Sequence, residues 1–113
     1  MENLTNKLRQ FRDERNWQKF HTPKDLAISV SVEAAELLEL FQWRDSSDLV
    51  DEELAGNARS EVADVFLYLL MFCDALGIDL EAAAEEKIEK NRRRFPVESS
   101  HGVAKPIDRS GEK

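Results

Sequence analysis

Apolar residues recur along most of this chain at steps of three and four, and no segment alternates residue by residue as a half-buried strand would. Leu4, Leu8 and Phe11 form one inward stripe with charges elsewhere, which predicts a first helix from about Asn3 to Arg15. The connection "NWQKFHTP" follows. Thr22, a capping hydroxyl, and Pro23, suited to a first turn, then start a second helix that should run to about Phe41. "RDSSD" closes it and offers caps for a third helix, expected from Leu49 to Leu76, with Gly77 as its stop and Gly56 as an interior weak point. Asp79 caps a fourth helix through Arg94, and Pro96 ends it. The fold class this predicts is all-α, an antiparallel four-helix bundle. From Val97 the composition turns to Ser, Gly, Pro and charge. The division is therefore a helical domain over 1–96 and a mobile polar tail over 97–113.

The second and third helices break their own pattern. "VEAAELLELFQW" carries Glu33, Glu36 and Glu39, and "SEVADVFLYLL" carries Glu61 and Asp64. At about 100° per residue, Glu33 falls between Leu37 and Leu40 with Glu36 beside it, whereas Glu39 points toward the strip of Ile28 and Val32. Glu61 and Asp64 flank the direction of Tyr68. An unpaired buried carboxylate costs several kcal/mol, and neither apolar segment holds a basic residue to pair with. A solvated face is the bland alternative for any single pair. Two pairs on neighbouring apolar helices point instead to a divalent cation held by Glu33, Glu36, Glu61 and Asp64. All-oxygen ligands suit Mg²⁺, with Mn²⁺ the alternative. The Glu-x-x-His pairs of a di-iron bundle are missing, since His21 and His101 lie outside the helix interiors.

Composition narrows what such a site serves. With 16 basic and 23 acidic residues in 113, the net charge is −7, which argues against a nucleic-acid binder. The longest apolar run, Val65–Cys73, is far too short for a membrane span, and the start "MENLTNKLRQ" lacks a signal core, so a cytoplasmic protein is expected. The single cysteine, Cys73, sits among apolar residues and reads as an inert core thiol. Magnesium held by few protein ligands engages substrate phosphates, so a polyphosphate substrate follows. "KIEKNRRRFP" supplies donors for it: Lys87 and Asn91 one turn apart, and Arg92 next. These basic residues also suit the negative end of a helix dipole. No phosphate-binding glycine loop of the G-x-x-x-x-G-K-[ST] type is present. Trp17, Phe20 and Trp43 flank the second helix and could hold a flat base, with Tyr68 on the acid face of the third helix and His21 able to stack or hydrogen-bond. Because the second helix is apolar almost all round, one small chain would leave it partly bare, and self-association is expected.

Taken together, "FRDERNWQKFHTPKDLAISVSVEAAELLELFQW", "SEVADVFLYLL" and "KIEKNRRRFP" resemble the all-α MazG-like nucleotide pyrophosphohydrolases, within them the dCTP pyrophosphatase-like branch. That resemblance implies Mg²⁺-dependent hydrolysis of a nucleoside triphosphate between the α and β phosphates, giving the monophosphate and pyrophosphate. It also implies Glu33, Glu36, Glu61 and Asp64 as metal ligands, with Glu36 or Glu33 the candidate to orient the attacking water. Trp17, Trp43 and Tyr68 are then expected around the nucleoside and Lys87 and Asn91 on the substrate, in a homodimer or homotetramer whose sites draw on more than one subunit. Animal members of the family carry a histidine where this chain has Leu8. The base stays open on that ground, with dCTP leading and dATP or modified cytosine nucleotides as alternatives. The rival readings are a non-catalytic helical oligomerisation module and a nucleotide sensor that binds without turnover.

Overall fold

Helix starts follow capping chemistry. In the computed structural model, which describes residues 1–111, Thr22 Oγ1 accepts the Asp25 amide at 3.2 Å and Asp79 Oδ1 accepts the Ala82 amide at 3.0 Å. Each satisfies a backbone donor that the first helical turn leaves without a partner. Glu112 and Lys113, the end of the expected tail, lie outside the described residues.

The elements are α1 (Glu2–Glu14), α2 (Pro23–Glu39), α3 (Glu52–Leu76), α4 (Leu80–Arg94) and α5 (Val97–Ser100), with a single 3-10 turn at Gln18–Phe20. Two boundaries differ from expectation. α2 stops at Glu39, because Leu40 and Phe41 donate to Leu37 and Leu38, i to i−3 bonds that tighten the chain out of the α-helix. α3 starts at Glu52 because Asp51 is its cap, accepting the Leu54 amide at 2.8 Å. Asp48 is used within the loop, where it accepts the Asp45 amide at 2.9 Å. Gly56 does not interrupt α3.

Left-handed residues at the ends of α1 and α3 shape what comes next. Gly77 has φ +67°, and Ile78 donates to the Cys73 carbonyl at 2.8 Å, closing α3 with a Schellman turn that glycine adopts without a Cβ penalty. Asn16 has φ +54°, and Trp17 donates to the Arg12 carbonyl at 3.1 Å. Asparagine is the side chain that most readily takes this role in glycine's place. The reversal brings the Trp17 ring edge-on to Phe11, with centroids 5.8 Å apart.

The chain forms two compact units, Met1–Ile78 and the part from Asp79 onward. In the first, α2 packs along α3 and α1 packs against α3. Leu26 of α2 and Leu54, Leu70, Met71 and Cys73 of α3 are its buried apolar residues. Ile28, Val32 and Leu38 on α2 and Val62 on α3 stay exposed. In the second unit, the segment after α5 returns to the end of α4. Arg94 Nε donates to Asp108 Oδ2 at 2.8 Å, and the Arg109 amide to the Arg94 carbonyl at 2.7 Å. Among the described residues no helix is long and apolar enough to cross a membrane.

Candidate functional site

The packing of α2 on α3 gathers the acids that the sequence left among leucines. Carboxylate oxygens of Glu33, Glu61 and Asp64 lie within 4.8 Å of one another, all three side chains half-buried. Buried oxygens of Glu33 and Glu61, Oε2 in each, have no hydrogen-bond partner. Glu36, one turn beyond Glu33, is half-buried and near enough to act on both Glu33 and Glu61. Glu39 is exposed and takes no part.

Crowding of like charges shows in the proton affinities. The Glu33 carboxyl is pushed from 4.5 up to about 7, first by its hydrogen bond with Glu36, then by burial and by the charges of Glu36 and Asp64. Burial is the leading cause for Glu61, whose affinity is also raised, with the charge of Glu36 next. Among the described residues no lysine or arginine forms an ion pair with any of the four. Two orphaned buried oxygens, a mutual spacing that one ion could bridge and a purely oxygen donor set fit a hard divalent cation of the Mg²⁺ kind. They do not fit zinc or copper, which favour nitrogen and sulfur.

Asp64 also belongs to a second feature, a cavity of about 300 Å³ between α1, the 3-10 segment and α3. Phe11 and Trp17 form one wall; Leu67, Tyr68 and Met71 form another; Leu8, Arg12 and His21 complete it. The volume is at the lower end of what small-molecule sites use, and the lining is mainly apolar with a few polar groups, the usual composition of such sites. His21 Nδ1 is buried without a partner, and burial followed by the Arg12 charge lowers the affinity of its ring for a proton. The imidazole is therefore neutral near pH 7. Arg15 covers the outer face of Phe11, its guanidinium carbon 3.7 Å from the ring centre.

Of the residues expected at a site, the first unit thus brings together Glu33, Glu36, Glu61 and Asp64, and lines the adjoining cavity with Trp17, His21 and Tyr68. Trp43 sits in the turns after α2, 90% exposed, and does not line that cavity. Lys87, Asn91 and Arg92 stand on α4 of the second unit, where Asn91 Oδ1 accepts from Arg94 at 3.2 Å and Arg92 approaches Glu89 at 3.5 Å. Arg12 was not anticipated. The charges of α1 were read as outward-facing, yet Arg12 follows Leu8 by one helical turn and so shares its inward stripe. That spacing is the signal that could have found it.

The pattern of the MazG-like family matches residues 28–108, and the chain belongs to that family. It is 34% identical over 99 residues to dCTP pyrophosphatase 1 of Rattus norvegicus, an overlap covering 84% of this chain and 58% of the rat protein. Against dCTP pyrophosphatase 1 of Homo sapiens the identity is 34% over 92 residues, 78% of this chain and 54% of the human protein. The chain thus spans somewhat more than half the length of these relatives. A crystal structure of a pyrophosphatase from Archaeoglobus fulgidus matches with a TM-score of 0.78 at 50% identity, covering 85% of this chain and 92% of that one.

Proposed function

We infer that the protein is a nucleoside triphosphate pyrophosphohydrolase that converts a deoxynucleoside triphosphate, dCTP foremost, to the monophosphate and pyrophosphate with Mg²⁺ as cofactor. One observation carries this reading: the cation-free acid cluster and the base-sized apolar cavity meet at Asp64. A ligand with an aromatic ring in the cavity would hold its charged portion toward the acids, where only a metal could reconcile phosphate with carboxylate. The family and the named relatives support the same class of reaction.

In this reading Glu33, Glu36, Glu61 and Asp64 would hold the metal. Once bound, it neutralises phosphate charge and lowers the pKa of water. Trp17 and Tyr68 sandwich or border the base, and His21 offers a neutral hydrogen-bonding edge. Glu36 orients the attacking water and accepts its proton as the new P–O bond forms, while the α–β anhydride bond breaks and its oxygen leaves with pyrophosphate. Lys87, Asn91 and Arg92 are the sequence's candidate phosphate donors, on α4. The working form is a homodimer or homotetramer in the cytoplasm, in which the exposed Ile28, Val32, Leu38 and Val62 are covered and Trp43 meets substrate or a partner surface. Its role is to clean or balance the nucleotide pool.

The test is a panel of purified deoxynucleoside triphosphates with Mg²⁺, scored by pyrophosphate release. Turnover of at least one, abolished by chelation, is the expected result. Absence of pyrophosphate from every nucleotide would remove the enzyme reading, and tight nucleotide binding without release would install the sensor in its place.

A further inference from the structure

α1 is the least anchored wall of the cavity. None of its residues is buried, Phe11 is exposed, and it packs against α3 less extensively than α2 does. Yet Leu8, Phe11 and Arg12 of α1 line the cavity together with Leu67, Tyr68 and Met71 of α3. Trp17 belongs to the same piece of wall as α1, because its amide donates to the Arg12 carbonyl at 3.1 Å and its ring meets Phe11 edge-on. With so little apolar burial, the helix has only a weak hydrophobic hold on the rest of the unit.

Polar contacts make up the difference, and they converge on one residue. Asp74, three residues beyond Met71 on α3, takes both of the ion pairs that join α1 to α3 among the described residues. Arg9 donates to its Oδ1 from Nε at 2.9 Å and also from Nη2, and Arg12 Nη1 pairs with Oδ2 at 3.5 Å. Both carboxylate oxygens are thus committed to α1. The Asp74 and Arg12 side chains are 16% and 13% exposed, so this half of the clasp is partly shielded from water and salt, whereas Arg9 is 45% exposed. Hydrogen bonds to charged groups are the stronger kind, so one side chain has a large say in whether this wall stays shut.

We propose that Asp74 is a positioning residue for ligand binding: it is the latch that holds α1 and Trp17 closed against α3, and α1 moves away from α3 to admit the ligand when the latch releases. The pyrophosphohydrolase reading supplies the ligand, a deoxynucleoside triphosphate, and the latch itself is read from α1 and α3 alone. The acid cluster is built from α2 and α3 and takes nothing from α1. Release of α1 therefore weakens the hold on the base and spares the chemistry of the bound complex. A ligand that needs the closed wall binds with an affinity scaled down by the closed fraction.

Amide hydrogen exchange in the ligand-free protein reads the latch without any nucleotide. In Asp74→Asn, exchange over residues 2–14 should accelerate by about tenfold or more, while residues 59–70 of α3 keep their wild-type rates. With dCTP and Mg²⁺, the same variant should raise KM by about fivefold and leave kcat within about twofold of the wild type. Asp74→Glu keeps the charge and should recover most of both effects. Arg9→Met removes the more exposed half of the clasp, shifts both readouts in the same direction by less, and serves as the test if Asp74→Asn fails to fold. Leu54→Val weakens the same unit at a buried site in the first turn of α3, and should change neither KM nor exchange over 2–14. Wild-type exchange over 2–14 in a folded latch variant overturns the proposal. So does a fall in kcat at unchanged KM, or an equal rise in KM with Leu54→Val. A wild type that hydrolyses no nucleotide strikes the underlying enzyme reading, and the exchange comparison then decides the latch alone.

Discussion

α3 carries two acidic positions of opposite character. At Asp74, near its C-terminal end, Arg9 and Arg12 converge from α1, and the Arg9 hydrogen bond leads in holding the carboxyl below its ordinary range. At Glu61 and Asp64, in the middle, the neighbours are Glu33 and Glu36, and both Glu33 and Glu61 bind their protons more tightly than usual. The helix and the type of side chain are the same, and the surroundings reverse the outcome. Asp74 is a solved electrostatic problem, with its counter-charge supplied by the chain. The middle cluster has no counter-charge among the described residues, and the proposed metal is what would supply it. Partly buried charge thus separates into a structural kind and a functional kind, according to whether the fold provides the partner.

That contrast can be broken most forcefully at the cluster. Glu61→Gln or Asp64→Asn should lower kcat/KM by at least about 100-fold, since metal stabilisation of the reacting phosphate is worth several kcal/mol and each 1.36 kcal/mol is tenfold. In the metal-free protein the same Glu61→Gln change should leave the melting temperature equal or higher, because it removes a charge from a crowd of like charges. A fall in metal-free stability would mean that the cluster is structural after all. Asp74→Asn should behave in the opposite way, costing about 2 kcal/mol in denaturant unfolding through the loss of charge-assisted hydrogen bonds. Asn16→Ala should cost about 1 kcal/mol, the left-handed penalty, and raise KM by loosening Trp17. Asn16→Gly is expected to be neutral or better for stability.

The smallest effect is the pH dependence of metal-free stability. Native Glu33 keeps its proton up to about 7, whereas the unfolded group releases it near 4.5, so between those values the native state binds more protons. Its stabilising contribution is complete below 4.5 and is lost as the pH rises to about 7. His21 acts in the reverse sense, since its lowered proton affinity makes stability rise with pH up to its ordinary 6.5. Comparison of wild type with Glu33→Gln isolates the carboxyl: the variant should show less decline from pH 4.5 to 7. Added Mg²⁺ should oppose the wild-type decline. An identical pH profile in the variant would mean that Glu33 titrates normally.

Much of the site was legible because helical spacing is a local rule. Glu33 with Glu36 and Glu61 with Asp64 share sectors whatever the rest of the chain does, and their lack of basic neighbours is visible in the sequence. Tyr68 was legible as an aromatic on the acid face and Trp17 as one flanking the second helix, and the structure gives both a common cavity. Arg12 was not, because a charged residue on an exposed-looking helix is ordinarily solvated. Only the packing of α1 on α3 turns it inward. The boundary of α3 escaped for a similar reason, since Asp45, Asp48 and Asp51 are chemically equal as caps and their hydrogen bonds separate them only in the folded loop.

The starts of α2 and α4 and the sectors of the acid pairs are consequences of nearest-neighbour chemistry: caps and a fixed angle per residue. They were settled before any two helices met. Tertiary packing decided which carboxylates share a centre, that their oxygens are left without partners, and that Arg12 looks into the cavity while Arg9 holds Asp74. Those outcomes depend on distances between residues remote in the chain. Electrostatics and hydrogen bonding act over a few ångströms of space, whatever the separation in sequence.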